Sequence, residues 1–492
     1  VKILVISLAG IGDTLFATPL IHELRANFPD ATIDAFVLWR GSKDLLDNNP
    51  HLDTVYQKNL ITNSKIGSLA FLSKLRWAGY DVSINTFPQS RIHYRLVAKF
   101  INARLRVSHD YGSSGALNRR LVNKTIPLDY ERHAVENNLS LLPLIDVKPR
   151  LSWYRYETFL TDIDLTWAAN FIAQQNLSWR PLLGVHVGSG GTKNLSLRRW
   201  PLENYLELVR RLREKEPGLA ILFFGGPEEK ADHEKIRTAA GEKNLFFPRT
   251  ENLRQAAALI GKCDFFLSAD TALMHLAAAM KVRGQIVIET PTWNKPVEPY
   301  NNPFVLVKNP AVAGRNLDFY RYDGRGIQGS AEELRRCMES VTVESVFDAA
   351  FASLANIFTV SSESPPKSIP AIFIALFKMS CGTVTMWQPQ SSAWKMFKTS
   401  RTLAQSSSAC GRFFKIFLLP AMTATGSTPV SAMRPAKTET TAGTFAFKDL
   451  ATPSTCSKVR MAVTFNFTPS PASSRISGSD DSARVLVMGI LT

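Results

Sequence analysis

Cysteine is scarce in this chain, five in 492 residues. Cys263, Cys337, Cys381, Cys410 and Cys456 form no CxxC pair and no metal-ligand spacing. An odd, scattered set points to reduced thiols in a cytosolic protein rather than to a disulfide framework. The histidines contain no HxxxH pair, so no bound metal is expected. No apolar run approaches the ~20 residues that span a bilayer. No signal-peptide pattern is present either; Val1 already sits in a strand pattern, and the missing initiator Met suggests a start misplaced or removed. Acid is in short supply, with 42 Asp and Glu against 58 Lys and Arg, a net charge of +16. That excess is uneven: residues 351–492 hold 14 basic and 5 acidic residues, leaving residues 1–350 only mildly basic. A mildly basic body suits an anionic small molecule or a membrane surface. Without any aromatic-plus-basic motif it argues against a nucleic-acid partner.

What is present is a strand–helix alternation. "KILVIS" is a β-branched run, "TPLIHELRANFP" has helical spacing, and "ATIDAFVL" and "YDVSINT" return to strand. A repeat of ~30 residues predicts parallel βαβ units. The alternation restarts after a less regular stretch near 150–180. "PLLGVHV", "LAILFFGG", "DFFLSAD" and "GQIVIET" are strands, and "PLENYLELVRRLREK", "NLRQAAALIGKC" and "TALMHLAAAMK" are helices. The fold class is therefore α/β, two doubly wound Rossmann-like domains (1–170 and 171–355) facing across a cleft at the carboxyl ends of their sheets. Residues 356–492 lose this pattern: Ser and Thr make up 39 of the residues from 351 on, and His and Tyr are absent there. A disordered tail and sequence read out of frame both fit. The abrupt stop after "TVESVFDAAFASLANI" favours the second.

Four stretches carry candidate chemistry. In "VISLAGIGDTLFATPL" a strand ends in Gly10-Ile11-Gly12 and meets Asp13 at once. Such turns usually receive phosphate, which an acid repels. Asp13 reads either as a helix N-terminal acid stabilised by the dipole or as a general base beside two glycines that allow close approach. "HVGSGGTKNLSLRRWP" supplies an anion site: Gly188, Gly190 and Gly191 expose N–H groups, Ser189 and Thr192 add hydroxyls, and Lys193, Arg198 and Arg199 add charge. A flexible Gly/Ser loop with solvated charges is the alternative. "FFGGPEE" offers Glu228 or Glu229 to ribose hydroxyls, or merely starts a helix. "SADTALMHLAAA" places Asp270 and Thr271 at a helix N-terminus with His275 one turn on, a position that equally suits a core histidine.

In this order, these pieces resemble the heptosyltransferase family (glycosyltransferase family 9), the enzymes of lipopolysaccharide inner-core assembly. The resemblance covers about residues 1–355 and rests on "GDTLFATPLIHELRANFP", "GSGG…RRWPLENY", "FFGGPEE" and "SADTALMHLAAA". It implies a GT-B fold and an inverting transfer with no metal and no separate cofactor. The implied donor is a nucleotide-diphospho-heptose, usually ADP-heptose. The implied acceptor is the lipid A-linked core oligosaccharide, at the cytoplasmic face of the inner membrane. Asp13 matches the family's proposed base, Ser189 a phosphate contact, Arg198 the lysine of K-x-W-P, Glu229 a ribose acid, and Asp270, Thr271 and His275 the D-[ST]-G-x-x-H segment. With the diphosphate on the second domain, Asp13 is left to face the acceptor hydroxyl. Ala272 departs from the usual glycine, and Glu289 and Thr290 stand where Phe-Gly is usual. A catalytically inactive GT-B relative that only binds nucleotide-sugar or glycan is the competing expectation.

Overall fold

The computed structural model describes residues 1–112, 120–189 and 195–360, and beyond them the strands named below. The chain divides into two compact units, Val1–Glu363 and Ser364–Thr492.

The first unit holds two sheets of six strands. One is built from β1 (Lys2–Ser7), β2 (Thr32–Val37), β3 (Thr54–Gln57), β4 (Val82–Asn85), β5 (Leu105–Asp110) and β6 (Lys124–Pro127), in the order β3-β2-β1-β4-β5-β6. The other uses β7 (Leu182–His186), β8 (Ala220–Phe224), β9 (Leu245–Phe246), β10 (Phe265–Ser268), β11 (Gly284–Ile288) and β12 (Phe304–Val307), in the order β12-β11-β10-β7-β8-β9. Counted from its own first strand, each sheet has the doubly wound order in which the chain reverses direction between its first and fourth strands. All pairings are parallel, with Val5 facing Ala35 and Ile84, and Leu267 facing Val185 and Ile286.

Helices cover both faces of each sheet, so the strands are buried on both sides and read as continuous apolar runs rather than alternation. Every residue of β7, β8 and β10 is buried. The helix Leu202–Lys215 shows how the covering layer is written: Tyr205, Leu208, Val209 and Leu212 form one buried stripe. This is the two-domain Rossmann-like arrangement of GT-B.

The two sheets share one core, in which Phe16 and Tyr156 cluster with Phe224, Leu273 and Leu276. The helix Ile11–Leu15 lies so close to the helix Ala272–Ala279 that a Cβ on Gly12 would stand 3.0 Å from the Ala272 Cα. The helix Asp162–Gln174 carries the chain from one sheet towards the other, and its Asp164 accepts from Arg254 Nε at 3.1 Å.

In the second unit, Leu376–Ser380, Thr383–Gln390, Ala393–Thr399 and Phe413–Lys415 form one antiparallel sheet. Phe445–Lys448, Arg460–Phe465 and Val485–Ile490 form another, and none of these strands joins a parallel sheet. The rest of the expected tail lies outside the described residues.

Candidate active site

Loops that leave β1 and β4, and β7 and β10, diverge at the two reversal points and open crevices at the carboxyl ends of the strands. Asp13 stands in the first. It is the third residue of the short helix Ile11–Leu15 and accepts the Gly10 N–H at 2.6 Å. The capping role is thus physically present. The carboxylate nonetheless stays partly exposed, and Gly10 is exposed beside it. Gly12 is buried and serves close packing: its missing side chain makes room for Ala272 and for the His275 ring, whose Cδ2 would be 2.8 Å from a Cβ there.

Across from it, Trp200 fixes the approach to Arg198. The indole is buried, donates to the Val341 carbonyl at 2.8 Å and packs edge-on to Tyr205. Immediately before it, the turn Leu195–Arg198 delivers the guanidinium, whose Nη1 donates to Asp270 Oδ2 at 2.8 Å and to Thr292 Oγ1 at 2.9 Å. Thr292 also donates to Asp270 at 3.2 Å and pairs with Thr290 at 3.0 Å. Thr271 caps the helix Ala272–Ala279 and meets His186 Nδ1 at 3.1 Å. Hydroxyls and one cation therefore tie together the loops after β7, β10 and β11. Of the unusual residues, Thr290 belongs to this network, while Glu289 accepts the Asn309 N–H at 2.9 Å.

His275 is buried, with its ring edge-on to Phe16 at 4.7 Å. Burial, then the Arg198 charge, bring its pKa down to about 3, so it is neutral at physiological pH. This is the environment of a core histidine at the junction of the two halves.

Arg199 and Glu229 form a second cluster. Arg199 donates to Glu229 Oε1 at 3.2 Å and to Asp232 at 3.0 Å. Between the two candidate acids the structure discriminates: Glu228 is exposed, whereas Glu229 is buried and accepts the Gly226 N–H at 2.9 Å. Burial raises the Glu229 carboxyl above its ordinary range, against the pull of Gly226 and Arg199. A Cβ at Gly188 would lie 2.1 Å from Glu229 Oε1, so a larger residue there would have to push this carboxylate aside. Ser189 is buried next to it. Gly190, Thr192 and Lys193 lie outside the described residues.

Sequence reasoning missed two tyrosines. Tyr320 and Tyr322 come from a hairpin pairing Tyr320–Arg321 with Gly326–Ile327. Tyr322 is buried against Phe87, ring centroids 4.7 Å apart. Burial raises both phenol pKa values, and the charges of Asp13 and Asp270 raise them further, opposed by Arg198. An acid from each half thus acts on the same two rings. Their signal was legible in "YRYDGRGI", alternating aromatics running into a glycine turn.

Among the sequence candidates, Asp13, Arg198, Asp270, Thr271 and His275 come together where the two halves meet, and Arg199 and Glu229 pair off beside β7 and β8. A sequence profile described as glycosyltransferase family 9 (heptosyltransferase) matches residues 68–317, half of the chain. The chain belongs to this family. It is a glycosyltransferase.

Lipopolysaccharide heptosyltransferase 3 of Escherichia coli K12 is 25% identical over 55% of this chain and 77% of its own length. Lipooligosaccharide heptosyltransferase 2 of Haemophilus ducreyi is 27% identical over 62% and 88%. Among solved structures, a family 9 glycosyl transferase from Veillonella parvula superposes with a TM-score of 0.57 at 20% identity, covering 72% of this chain and 97% of that one. The E. coli ADP-heptose LPS heptosyltransferase II gives 0.54 at 22%, covering 73% and 100%. At these identities the structures speak for the fold alone. Among the described residues no helix is long and apolar enough to cross a membrane.

Proposed function

We propose that this glycosyltransferase moves a heptose from a nucleotide diphosphate, ADP-heptose in the first instance, to the lipid A-linked core of lipopolysaccharide, with inversion and without a metal in the transfer step. The observation that carries the reading is the meeting of two helix starts: the helix Ile11–Leu15 that holds Asp13 packs through Gly12 on Ala272 and His275, in the helix that follows the Arg198–Asp270 pair. In this reading the acceptor hydroxyl attacks the anomeric carbon from the side opposite the leaving nucleotide. Asp13 takes its proton. The leaving diphosphate meets Arg198 and the N–H groups that start the helix Ala272–Ala279, which stabilise charge as it develops. With a fixed cation and a helix start aimed at the leaving group, the step needs no metal clamp. Ser189, Gly190, Thr192, Lys193 and Arg199 would frame the diphosphate, and Glu229 the ribose. Relatives named as lipopolysaccharide and lipooligosaccharide heptosyltransferases support the transferred sugar and the acceptor.

Peripheral attachment to the cytoplasmic face of the inner membrane is part of the same proposal. The helix Lys65–Trp77 turns Ile66 and Trp77 outward, 83% and 86% exposed, beside Lys65, Lys74 and Arg76. Apolar anchors ringed by cations suit an anionic headgroup layer.

The test is a thermal-shift screen of ADP-heptose against UDP- and GDP-hexoses, followed by transfer to heptose-deficient core with and without EDTA. An ADP-heptose shift, EDTA-resistant transfer and an inverted anomeric configuration by NMR are expected. Retention of configuration, or loss of transfer in EDTA at an unchanged melting temperature, would overturn the mechanism; binding without transfer to any core would mark an inactive relative.

A further inference from the structure

Away from the junction of the two halves, three side chains from distant segments meet. His22 lies on the helix Thr18–Asn27, His51 on the turn that follows the helix Arg40–Leu46, and Glu157 on the stretch leading into the helix Asp162–Gln174. His22 Nδ1 is 3.1 Å from Glu157 Oε1, and His51 Nε2 is 3.7 Å from Glu157 Oε2. One nitrogen or oxygen from each residue falls within 4.8 Å of the other two. The imidazoles stack with centroids 3.9 Å apart and planes 15° apart, so one ring must turn out of the stack before both can aim a lone pair at one ion.

Hydrogen bonding alone leaves this arrangement incomplete. At 3.7 Å the His51–Glu157 contact is too long for a hydrogen bond, and the buried Glu157 Oε2 accepts none among the described residues. Leaving such an oxygen unmade is costly. An ion bound at about 2.0–2.1 Å by tetrahedral ligands holds them roughly 3.4 Å apart, and the three donor atoms, all within 4.8 Å of one another, reach that separation by side-chain rotation. Of the cations nearby, Arg25 is engaged by Asp53 at 2.7 Å and by the Pro29 and Ala31 carbonyls, and Arg155 lies over the Trp153 ring, 5.5 Å from its centroid. A cavity of about 290 Å³, lined by His22 and Glu157 with Pro19, Trp153 and Arg155, provides entry and room for water ligands. The Glu157 backbone is itself fixed, its N–H donating to Thr18 Oγ1 at 3.0 Å.

We infer that His22, His51 and Glu157 form a binding site for a first-row divalent cation of the zinc type, completed by water from the adjoining cavity. Two imidazoles and a carboxylate are a donor set suited to such ions rather than to Mg²⁺ or Ca²⁺, which take oxygen. The ion clamps the stretch before the helix Asp162–Gln174 onto the first sheet's helices. It takes no part in sugar transfer. Sequence spacing could not show it, because His22 and Glu157 are 135 residues apart.

The full chain, stripped with chelator, is dialysed against Zn²⁺ and its metal content measured. One equivalent is expected, with a raised melting temperature. His51→Ala and Glu157→Gln should each cut affinity beyond the roughly 10–100-fold that loss of an outer-shell partner costs, and abolish the Zn²⁺-dependent melting shift. Co²⁺ loaded into the unaltered protein guards against variants that misfold: a visible d–d spectrum without a thiolate charge-transfer band reports nitrogen and oxygen ligands. No stoichiometric uptake, uptake unchanged in both variants, or a thiolate band would each overturn the assignment.

Discussion

Arg198 and Asp270 are joined at 2.8 Å although they come from loops after different strands, and the exposed fractions of their side chains are only 14% and 9%. The pair fixes the cation that the proposed leaving group meets. Arg198→Ala should weaken nucleotide-diphosphate binding roughly 10–100-fold, the worth of a charged hydrogen bond. It should also lower stability, because Asp270 is left buried without its cation. Arg198→Lys, which keeps the positive charge, should restore most of both. Calorimetric titration with ADP and thermal melts check this; a lysine variant as weak as alanine would mean that guanidinium geometry, not charge, is what matters.

Much of this was legible before the fold was seen. β1, β7, β8 and β10 declared themselves because strands covered on both faces must be apolar throughout. β9, with two residues, and the edge strands β3 and β12 gave no clear pattern, since an edge needs less burial. Asp13, Arg198 and Asp270 stood out because glycine turns and helix starts mark sites locally. The hairpin that carries Tyr320 and Tyr322 had a local signal, but their burial against Phe87 did not, and the His22–His51–Glu157 group is a product of tertiary folding that no local window contains. Gly12 was readable as a glycine with a purpose, but not that its purpose is to admit Ala272 and His275.

That close contact yields a second expectation. Gly12→Ala would set a methyl 3.0 Å from the Ala272 Cα and 2.8 Å from the His275 ring, and backbone cannot yield as a side-chain tip can. Overpacking of this kind costs about 1–3 kcal/mol. Urea denaturation should show the loss; a variant as stable as the parent would imply that the two halves separate freely.

Stability should also fall with acid. Burial lowers His109 to about 4 and His133, His186 and His275 each to about 3, against an ordinary 6.5. Between those values the unfolded chain binds protons that the native state refuses. Stability is therefore full above pH 6.5 and declines as pH drops toward 4, by up to about 1.4 kcal/mol per pH unit for each histidine. Glu229, raised by burial, works with the opposite sign in the acid range. Melting temperature measured from pH 7.5 to 5 should decline, and His109→Gln should make the decline shallower.

Removal of the second unit should be tolerated. Among the described residues, neither parallel sheet takes a strand from beyond Glu363. A chain ending there should melt cooperatively and keep its ADP-heptose shift. Aggregation of the shortened chain, or loss of the shift, would show that the second unit supports the first.

Asp13 carries the sharpest expectation, because its two roles predict opposite results. Its carboxylate already caps Gly10 at 2.6 Å, and an asparagine oxygen could accept that same N–H with little loss. If capping were its whole function, Asp13→Asn would transfer sugar almost normally. A general base is different: the amide cannot take the proton that the acceptor hydroxyl sheds as its oxygen bonds to the anomeric carbon. Turnover should then fall by about 10²–10⁴. The nucleotide contacts of the proposed site come from the other half, so ADP affinity should scarcely move. Both quantities must be read on the same protein, with the melting temperature as a check that the helix Ile11–Leu15 is intact. Slow turnover with unchanged ADP binding and melting assigns the proton to Asp13. Near-normal turnover leaves it a capping acid, and the base must then be sought among the groups around Tyr320 and Tyr322.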